Sequence, residues 1–356
     1  MPLDLGSSSL DITRYLCDIE SVSGNEKPVA DEIEAAVLTV PHLECIRDGD
    51  TVVARTRLGR PSRVIIAGHI DTVPVNNNLP TKMVVVDGRE HLWGRGTVDM
   101  KAGVALQLKL AAELVNPVHD ITWMWYDHEE VEASLNGLGR LQRNHPDLFV
   151  GQCAILGEPT SACVEGGCNG TLRAHVRTRG VRAHSARSWV GVNAIHSAAG
   201  ILSTLAHYQP QTVTVDGLDY REGMNAVRIA GGVAGNVIPD ECVVEVNYRF
   251  APSVDSSQAA DHVRAIFSDY DVRITDSADG ARPGLDRDIV RDFLHAVNAP
   301  VAPKYGWTDV ARFSALGIPA VNYGPGDPLK AHADDESVPV EDIRDVERGL
   351  RSWLSA

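Results

Sequence analysis

Several features are scarce in this 356-residue chain, and each scarcity removes a class of protein. Positive charge is in deficit, with 33 Lys and Arg against 48 Asp and Glu, a formal net charge of -15. A surface that acidic repels phosphate backbones and anionic headgroups, so neither nucleic acid nor a membrane surface is expected as a partner. No apolar run approaches the roughly 20 residues that a membrane-spanning helix needs. The opening residues MPLDLGSSSLD lack a basic stretch followed by an apolar one, so no secretory leader is expected and the expected location is cytoplasmic. The six cysteines, Cys17, Cys45, Cys153, Cys163, Cys168 and Cys242, contain no CxxC pair. That removes a zinc-finger spacing and leaves reduced core thiols. No internal repeat or low-complexity segment stands out.

What is present is ordinary globular material, 44% hydrophobic and 23% charged, enough for about two domains at roughly 100–200 residues each. Apolar runs at 63–70, 121–126 and 153–156 read as strands, and residues 100–115, rich in helix formers with apolar positions at helical spacing, as a helix. The alternation returns at 318–322, a strand, and 340–354, an amphipathic helix. This predicts an α/β domain with a mixed, mostly parallel sheet flanked by helices. The middle differs. Strands at 170–178, 226–233, 241–250 and 271–275, with helices at 191–208 and 256–269, spell βαββαβ, a ferredoxin-like α+β unit. It interrupts the larger domain, so the expected division is 1–167 with 284–356, and an inserted 168–283.

Chemistry-bearing residues gather where the predicted strands end, which is where open α/β sheets bind ligands. His69 ends the first apolar run and Asp71 follows on the same side. A histidine there can be a structural hydrogen bonder, but a carboxylate partner is what a metal-bound imidazole usually has. Asp99 precedes the helix in WGRGTVDMK, where an Asp also suits an N-cap. The G-R-G lacks the third glycine of a dinucleotide loop, so that fingerprint is not supported and a nicotinamide oxidoreductase is left as a distant third reading. Asp127-His128-Glu129-Glu130 follow the second strand, Glu158 the third, and His332 the strand near the C-terminus. Each alone fits a solvated loop, a turn or a surface histidine. Together, two imidazoles and three carboxylates suit Zn(II), with Co(II) or Mn(II) as alternatives, and one shared carboxylate lets five residues hold two ions. Glu129 is the adjacent carboxylate available as general base, which a non-catalytic binding protein would not need.

The runs GHIDTVP, WGRGTVDMKAG, DHEE, GEPT and the late His332 resemble, in order, the five ligand motifs of the di-zinc aminoacylase and carboxypeptidase hydrolases. The resemblance spans essentially the whole chain. GCNGTLR, RAHSARSWVGVNAIH, YREGMNAVRIAGGVAGNVIPDE and KYGWTDVARFSALGIPAVNYGPGDP narrow it to members acting on N-succinyl amino acids. Other N-acyl-amino-acid deacylases and dipeptidases share the metal site. The resemblance implies two zinc ions, one held by His69, Asp99 and Glu158 and the other by Asp99, Glu130 and His332, with Asp99 bridging. It implies that Asp71 orients His69, that Glu129 is the base, and that a cis peptide joins Asp99 to Met100. His128 stands where members of the family often carry an acidic residue. In the inserted unit, expected to form the contact of a homodimer, it implies that His184 reaches across to stabilise the oxyanion and that Asn236 and Arg249 contact substrate. A succinylated diamino dicarboxylate bears three carboxylates, so on an acidic protein its recognition must be short-range, from guanidinium and backbone donors. Arg182, Arg187 and Arg249 are the arginines at hand.

Overall fold

The strand Asp120–Tyr126, DITWMWY, is buried along its whole length, as expected of a strand covered on both faces. The computed structural model containing it describes residues 2–355. The strand lies third in an eight-stranded sheet ordered Glu44–Asp48, Thr51–Arg55, Asp120–Tyr126, Arg63–His69, Ala154–Leu156, Ala320–Asn322, Val164–Gly166 and Val301–Pro303. The middle four run parallel. Antiparallel pairing appears towards both sides. This is the mixed sheet the periodicity implies. The helix Lys101–Glu113 is buried nearly throughout, because it packs on the strand Arg63–His69 and on the helices Ser9–Asp18 and Val340–Ser355. Gly103 permits that approach, since a Cβ there would overlap the Gly157 carbonyl. Trp123 and Trp125 lie within this core with their rings stacked at 6.5 Å.

Contacts divide the chain into two units, Met1–Gly166 with Gly284–Ala302 and Arg312–Ala356, and Gly167–Pro283 with Pro303–Ala311. Residues 303–311 group with the second unit for reasons the sequence pattern does not show. The Asn169 N–H donates to the Lys304 carbonyl at 3.2 Å and the Trp307 indole N–H to the Asp279 carbonyl at 3.0 Å. The second unit contains a four-stranded antiparallel sheet ordered Gly223–Gly231, Glu241–Phe250, Gly170–Arg179 and Asp271–Ala278. Burial alternates strictly along Glu241–Phe250, whose inward residues Val244, Val246 and Phe250 meet Val263 and Phe267 from the helical face. The helix expected over 191–208 is two pieces, Ala194–Ser197 and Ala199–His207. It starts late because Asn193 is the N-cap, its side chain accepting from the N–H groups of Ile195 and His196.

All six cysteines are free, and burial pushes the Cys17 and Cys153 thiols up to about 12, so they are unreactive packing groups. Among the described residues no helix is long and apolar enough to cross a membrane.

Candidate metal centre

Strand register brings the chemistry together. His69 pairs with Tyr126, so the Asp127–Glu130 segment leaves the sheet beside His69. Ala67 pairs with Leu156, which sets Glu158 two residues beyond its strand just as His69 lies two beyond Ala67. Asp99 arrives on the turn before the helix Lys101–Glu113, and the Asp99–Met100 peptide is cis.

His69 is buried, and its Nε2 lies 2.9 Å from Asp99 Oδ1. Its Nδ1 is 3.0 Å from the main-chain carbonyl of Asp71 and 3.4 Å from the Asp71 carboxylate. The carbonyl therefore takes the Nδ1 proton, and in the metal-free chain Nε2 bonds to Asp99 through a second proton, whose place a metal would take. The Asp71 carboxylate has shorter contacts elsewhere. It accepts from Ser23 Oγ at 2.7 Å and from the backbone N–H groups of Glu129 and Glu130 at 3.0 and 3.1 Å. Asp71 thus shapes the turn carrying the two glutamates as well as lying against His69.

His332 closes the other side, its Nε2 3.0 Å from Glu130 Oε1 and 3.3 Å from Asp99 Oδ2. Asp99 accordingly offers one oxygen to each of two imidazoles. Ligand atoms around a tetrahedral ion bound at about 2.0–2.1 Å lie about 3.3 Å apart, so these separations suit a shared metal ligand. His69, Asp99 and Glu130 present ligand atoms all within 4.8 Å of one another, and among the described residues they are the one such group of three or more. The donor set, imidazole and carboxylate, fits a zinc-like divalent ion.

Electrostatics agree. Burial alone would lower the His69 imidazole, but Asp71 and Asp99 outweigh it and raise it well above the ordinary histidine value. Hydrogen bonds donated to the Asp99 and Glu130 carboxylates raise His332 to about 10. Burial works against the charge on Asp99, but the two histidines hold its carboxyl far below the usual range. Positive charge is wanted between these carboxylates, and in the metal-free chain protons supply it.

His128 adopts a left-handed backbone (φ 57°), and its Nδ1 lies 2.7 Å from Asp127 Oδ2 and 3.3 Å from Glu26 Oε1. Asp127 is itself gripped by Arg140 at 2.6 Å and by Thr51 Oγ1 at 2.6 Å. A histidine at this position thus lies between two buried carboxylates. In the second unit, His184 is exposed and its Nδ1 accepts from the Ala186 N–H at 3.0 Å, which leaves the proton on Nε2. Asn236 is brought beside it, since His184 pairs with Val237 and the Ser185 N–H donates to the Asn236 carbonyl. Arg249 is elsewhere, near the far end of the strand Glu241–Phe250, with its Nε 3.2 Å from Asn247 Oδ1.

Sequence reasoning missed the supports. Ser23 and Glu26 come from an N-terminal loop whose Ser21 hydroxyl donates to the Ile70 carbonyl, and Glu26 accepts the His128 N–H. Thr160 joins the Glu158 loop to the loop before His332, its hydroxyl accepting from the Gly324 N–H at 3.1 Å and lying 2.6 Å from the Cys163 carbonyl. Glu336 accepts the N–H of Asp99. In Asp334-Asp335-Glu336 nothing local distinguishes the buried member from its solvated neighbours, whereas the SVSGNE loop could have been flagged as a polar run beside a predicted strand end only with the fold in hand.

Comparison with known proteins places the whole chain. A Mycobacterium tuberculosis protein provisionally called succinyl-diaminopimelate desuccinylase is 51% identical over 355 residues, covering 99% of both chains. The succinyl-diaminopimelate desuccinylase of Corynebacterium glutamicum is 46% identical over 364 aligned positions, covering 99% of this chain and 98% of that one. The crystal structure of aminopeptidase PepT from Bacillus cereus has the same fold, with a TM-score of 0.77 at 18% identity over 99% of this chain and 98% of that one. The profile of peptidase family M20/M25/M40 matches residues 65–356. The chain belongs to the M20/M25/M40 peptidase family and is a metal-dependent amide hydrolase.

Proposed function

We propose that this enzyme hydrolyses N-succinyl-LL-2,6-diaminopimelate to succinate and LL-2,6-diaminopimelate, a step of lysine and diaminopimelate biosynthesis, as a cytoplasmic homodimer holding two zinc ions. The observation that carries the reading is 46–51% identity, over nearly the full length, to proteins named as desuccinylases, on a chain whose Asp99 turns one oxygen to each of two histidines. His69, Asp99 and Glu158 are the ligands of one ion, and Asp99, Glu130 and His332 of the other; cobalt would suit the same donors. Bound there, the ions would polarise the amide carbonyl and make water more acidic. Glu129 takes a proton from the attacking water and returns it to the leaving amine. His184, with its proton on Nε2, donates to the carbonyl oxygen as negative charge develops. Asn236 and Arg249 contact the substrate, Arg249 through a carboxylate.

The dimer is supported by distance. Asn236 precedes the strand Glu241–Phe250 and Arg249 is near its end. At about 3.4 Å per residue they are separated by more than about 25 Å of strand, beyond the reach of one such substrate. Both can serve one substrate only if they come from different copies. The edge strand Gly223–Gly231 also leaves Val227 57% and Ile229 48% exposed, an apolar edge suited to a self-complementary contact.

The test is kcat/KM across N-succinyl-LL-diaminopimelate, N-acetylornithine, other N-acetyl amino acids and dipeptides, before and after zinc removal. The succinyl substrate should lead by at least tenfold and lose turnover on chelation. Preference for acetylornithine or a dipeptide would replace the substrate assignment and keep the metal centre. Glu129→Gln should retain zinc and lose turnover by about 10²–10⁴-fold; near-normal turnover would remove the base assignment.

A further inference from the structure

The loop carrying His332 presents a physical problem. His332 has a left-handed backbone (φ 65°), and its side chain is 53% exposed. Packing therefore does not fix it, yet its Nε2 must stand at a set distance from Asp99, which belongs to a turn more than 200 residues earlier in the chain.

Arg95 and Glu336 connect the two segments. Both are almost fully buried, 3% and 1% exposed, and their side chains meet at 2.7 Å. Glu336 Oε1 accepts the N–H groups of Val98 and Asp99 at 2.9 and 3.1 Å, and Oε2 takes Arg95 Nη1. The Glu336 carbonyl also accepts the Gly94 N–H at 3.0 Å. The guanidinium also reaches the main chain of the His332 loop, its other arm Nη2 3.4 Å from the His332 carbonyl and Nη1 itself 3.4 Å from that of Ala333. Neither residue offers an atom to the metal group. One carboxylate–guanidinium unit thus grips the backbone of Asp99 from one side and the backbone of His332 from the other.

We infer that Arg95 and Glu336 are positioning residues, an interlock that sets Asp99 and His332 at the spacing a metal ion requires. The inference rests on the metal reading above. A buried ion pair is a weak source of net stability, since desolvation offsets most of the attraction. A forked guanidinium bonded to a carboxylate and to two carbonyls is, however, well suited to fixing geometry. Groups that orient metal ligands typically contribute 10- to 100-fold in affinity.

Two variants separate this role from a general contribution to folding. Arg95→Lys keeps a cation opposite Glu336 but lacks the second arm to the His332 carbonyl. Glu336→Gln keeps an acceptor for Val98 and Asp99 but turns an amide towards Arg95. The stability control is Val346→Ala, a core truncation in the helix Val340–Ser355. Each protein is stripped of metal, its Tm measured, and zinc titrated against a chromophoric chelator; kcat and KM follow on the reloaded enzyme. Both variants should bind zinc about 10- to 100-fold more weakly at one site at least, with kcat reduced and KM within about threefold of the parent. Val346→Ala should lose Tm with zinc affinity unchanged. Should Glu336→Gln not fold, Arg95→Lys carries the test alone. Zinc affinities in Arg95→Lys equal to the parent's within threefold, or an equal loss in Val346→Ala, would overturn the interlock while leaving the metal reading intact. A parent that takes up no zinc would overturn both.

Discussion

Asp71→Asn is the most informative single change, because the structure divides the work of Asp71 between two groups. Its carbonyl is the nearer partner of His69 Nδ1, at 3.0 Å, and a substitution leaves that atom in place. Its carboxylate accepts from Ser23 and from the N–H groups of both glutamates. An asparagine keeps one acceptor oxygen and turns an NH2 to the other side. The Ser23 hydroxyl can reverse and accept, but one of the two backbone donors then faces a donor. A buried N–H left unsatisfied, together with loss of the charge on its partner, costs about 2–3 kcal/mol. If that falls on the orientation of Glu129, kcat drops by about 30- to 150-fold. The His69 tautomer is retained, so zinc affinity should fall by less than about tenfold. Steady-state kinetics with the zinc content of the same preparation would check this. Turnover within threefold of the parent at full zinc would refute the reasoning, and a zinc loss larger than the kcat loss would return the main role of Asp71 to His69.

Other outcomes follow from the same geometry. His332 is raised from 6.5 to about 10 in the metal-free fold. A raised histidine adds stability that is complete below its unfolded value and is lost as pH rises through the folded one, so the Tm of the stripped protein should decline between pH about 7 and about 10. A Tm that is flat over this window would count against the Asp99–His332–Glu130 cluster. Zinc takes the neutral imidazole, so uptake at pH near 8 should release protons, seen as calorimetric heats that vary with buffer ionisation enthalpy. If His184 acts across a dimer, mixing inactive Glu129→Gln and His184→Ala chains should recover about a quarter of parental activity, and no recovery after subunit exchange would place His184 in its own site. Phe293 packs edge-on against Trp353 and Tyr323, with ring centroids 5.0 and 5.6 Å away. Phe293→Ala should cost about 3–5 kcal/mol in denaturant unfolding, and a loss below about 1 kcal/mol would show that this layer repacks.

Much of the fold was legible because burial leaves a direct mark on composition. ITWMWY has no charged side chain, and the alternation in ECVVEVNYRF places that strand without the structure. The proposed ligand positions stand out in the sequence for a related reason, since each follows an apolar strand or opens a helix. Two hairpins escaped although their signal was present. Asp87-Gly88 and Asp216-Gly217 both have positive φ and join the strands Lys82–Val86 to Arg89–Trp93 and Thr212–Val215 to Leu218–Arg221. Such Asp-Gly turns match strand twist. Arg95, Glu336 and Thr160 escaped for a stronger reason. Their partners lie more than 150 residues away, and no local period registers a bond across that separation. The charge of -15 was read as long-range repulsion, whereas the buried carboxylates among the 48 acidic residues act at contact distance on backbone N–H groups and histidines.

The order in which the centre is assembled along the chain has a consequence for biosynthesis. Four proposed ligands are complete by residue 158, but the fifth is His332, and the helix Val340–Ser355 that packs on Lys101–Glu113 comes later still. A ribosome therefore finishes the whole second unit before the metal centre can close. Closure of the proposed centre waits on a residue made after both stretches of that unit, 167–283 and 303–311. A chain ended before residue 332 would lack both the fifth proposed ligand and the helix that covers Lys101–Glu113.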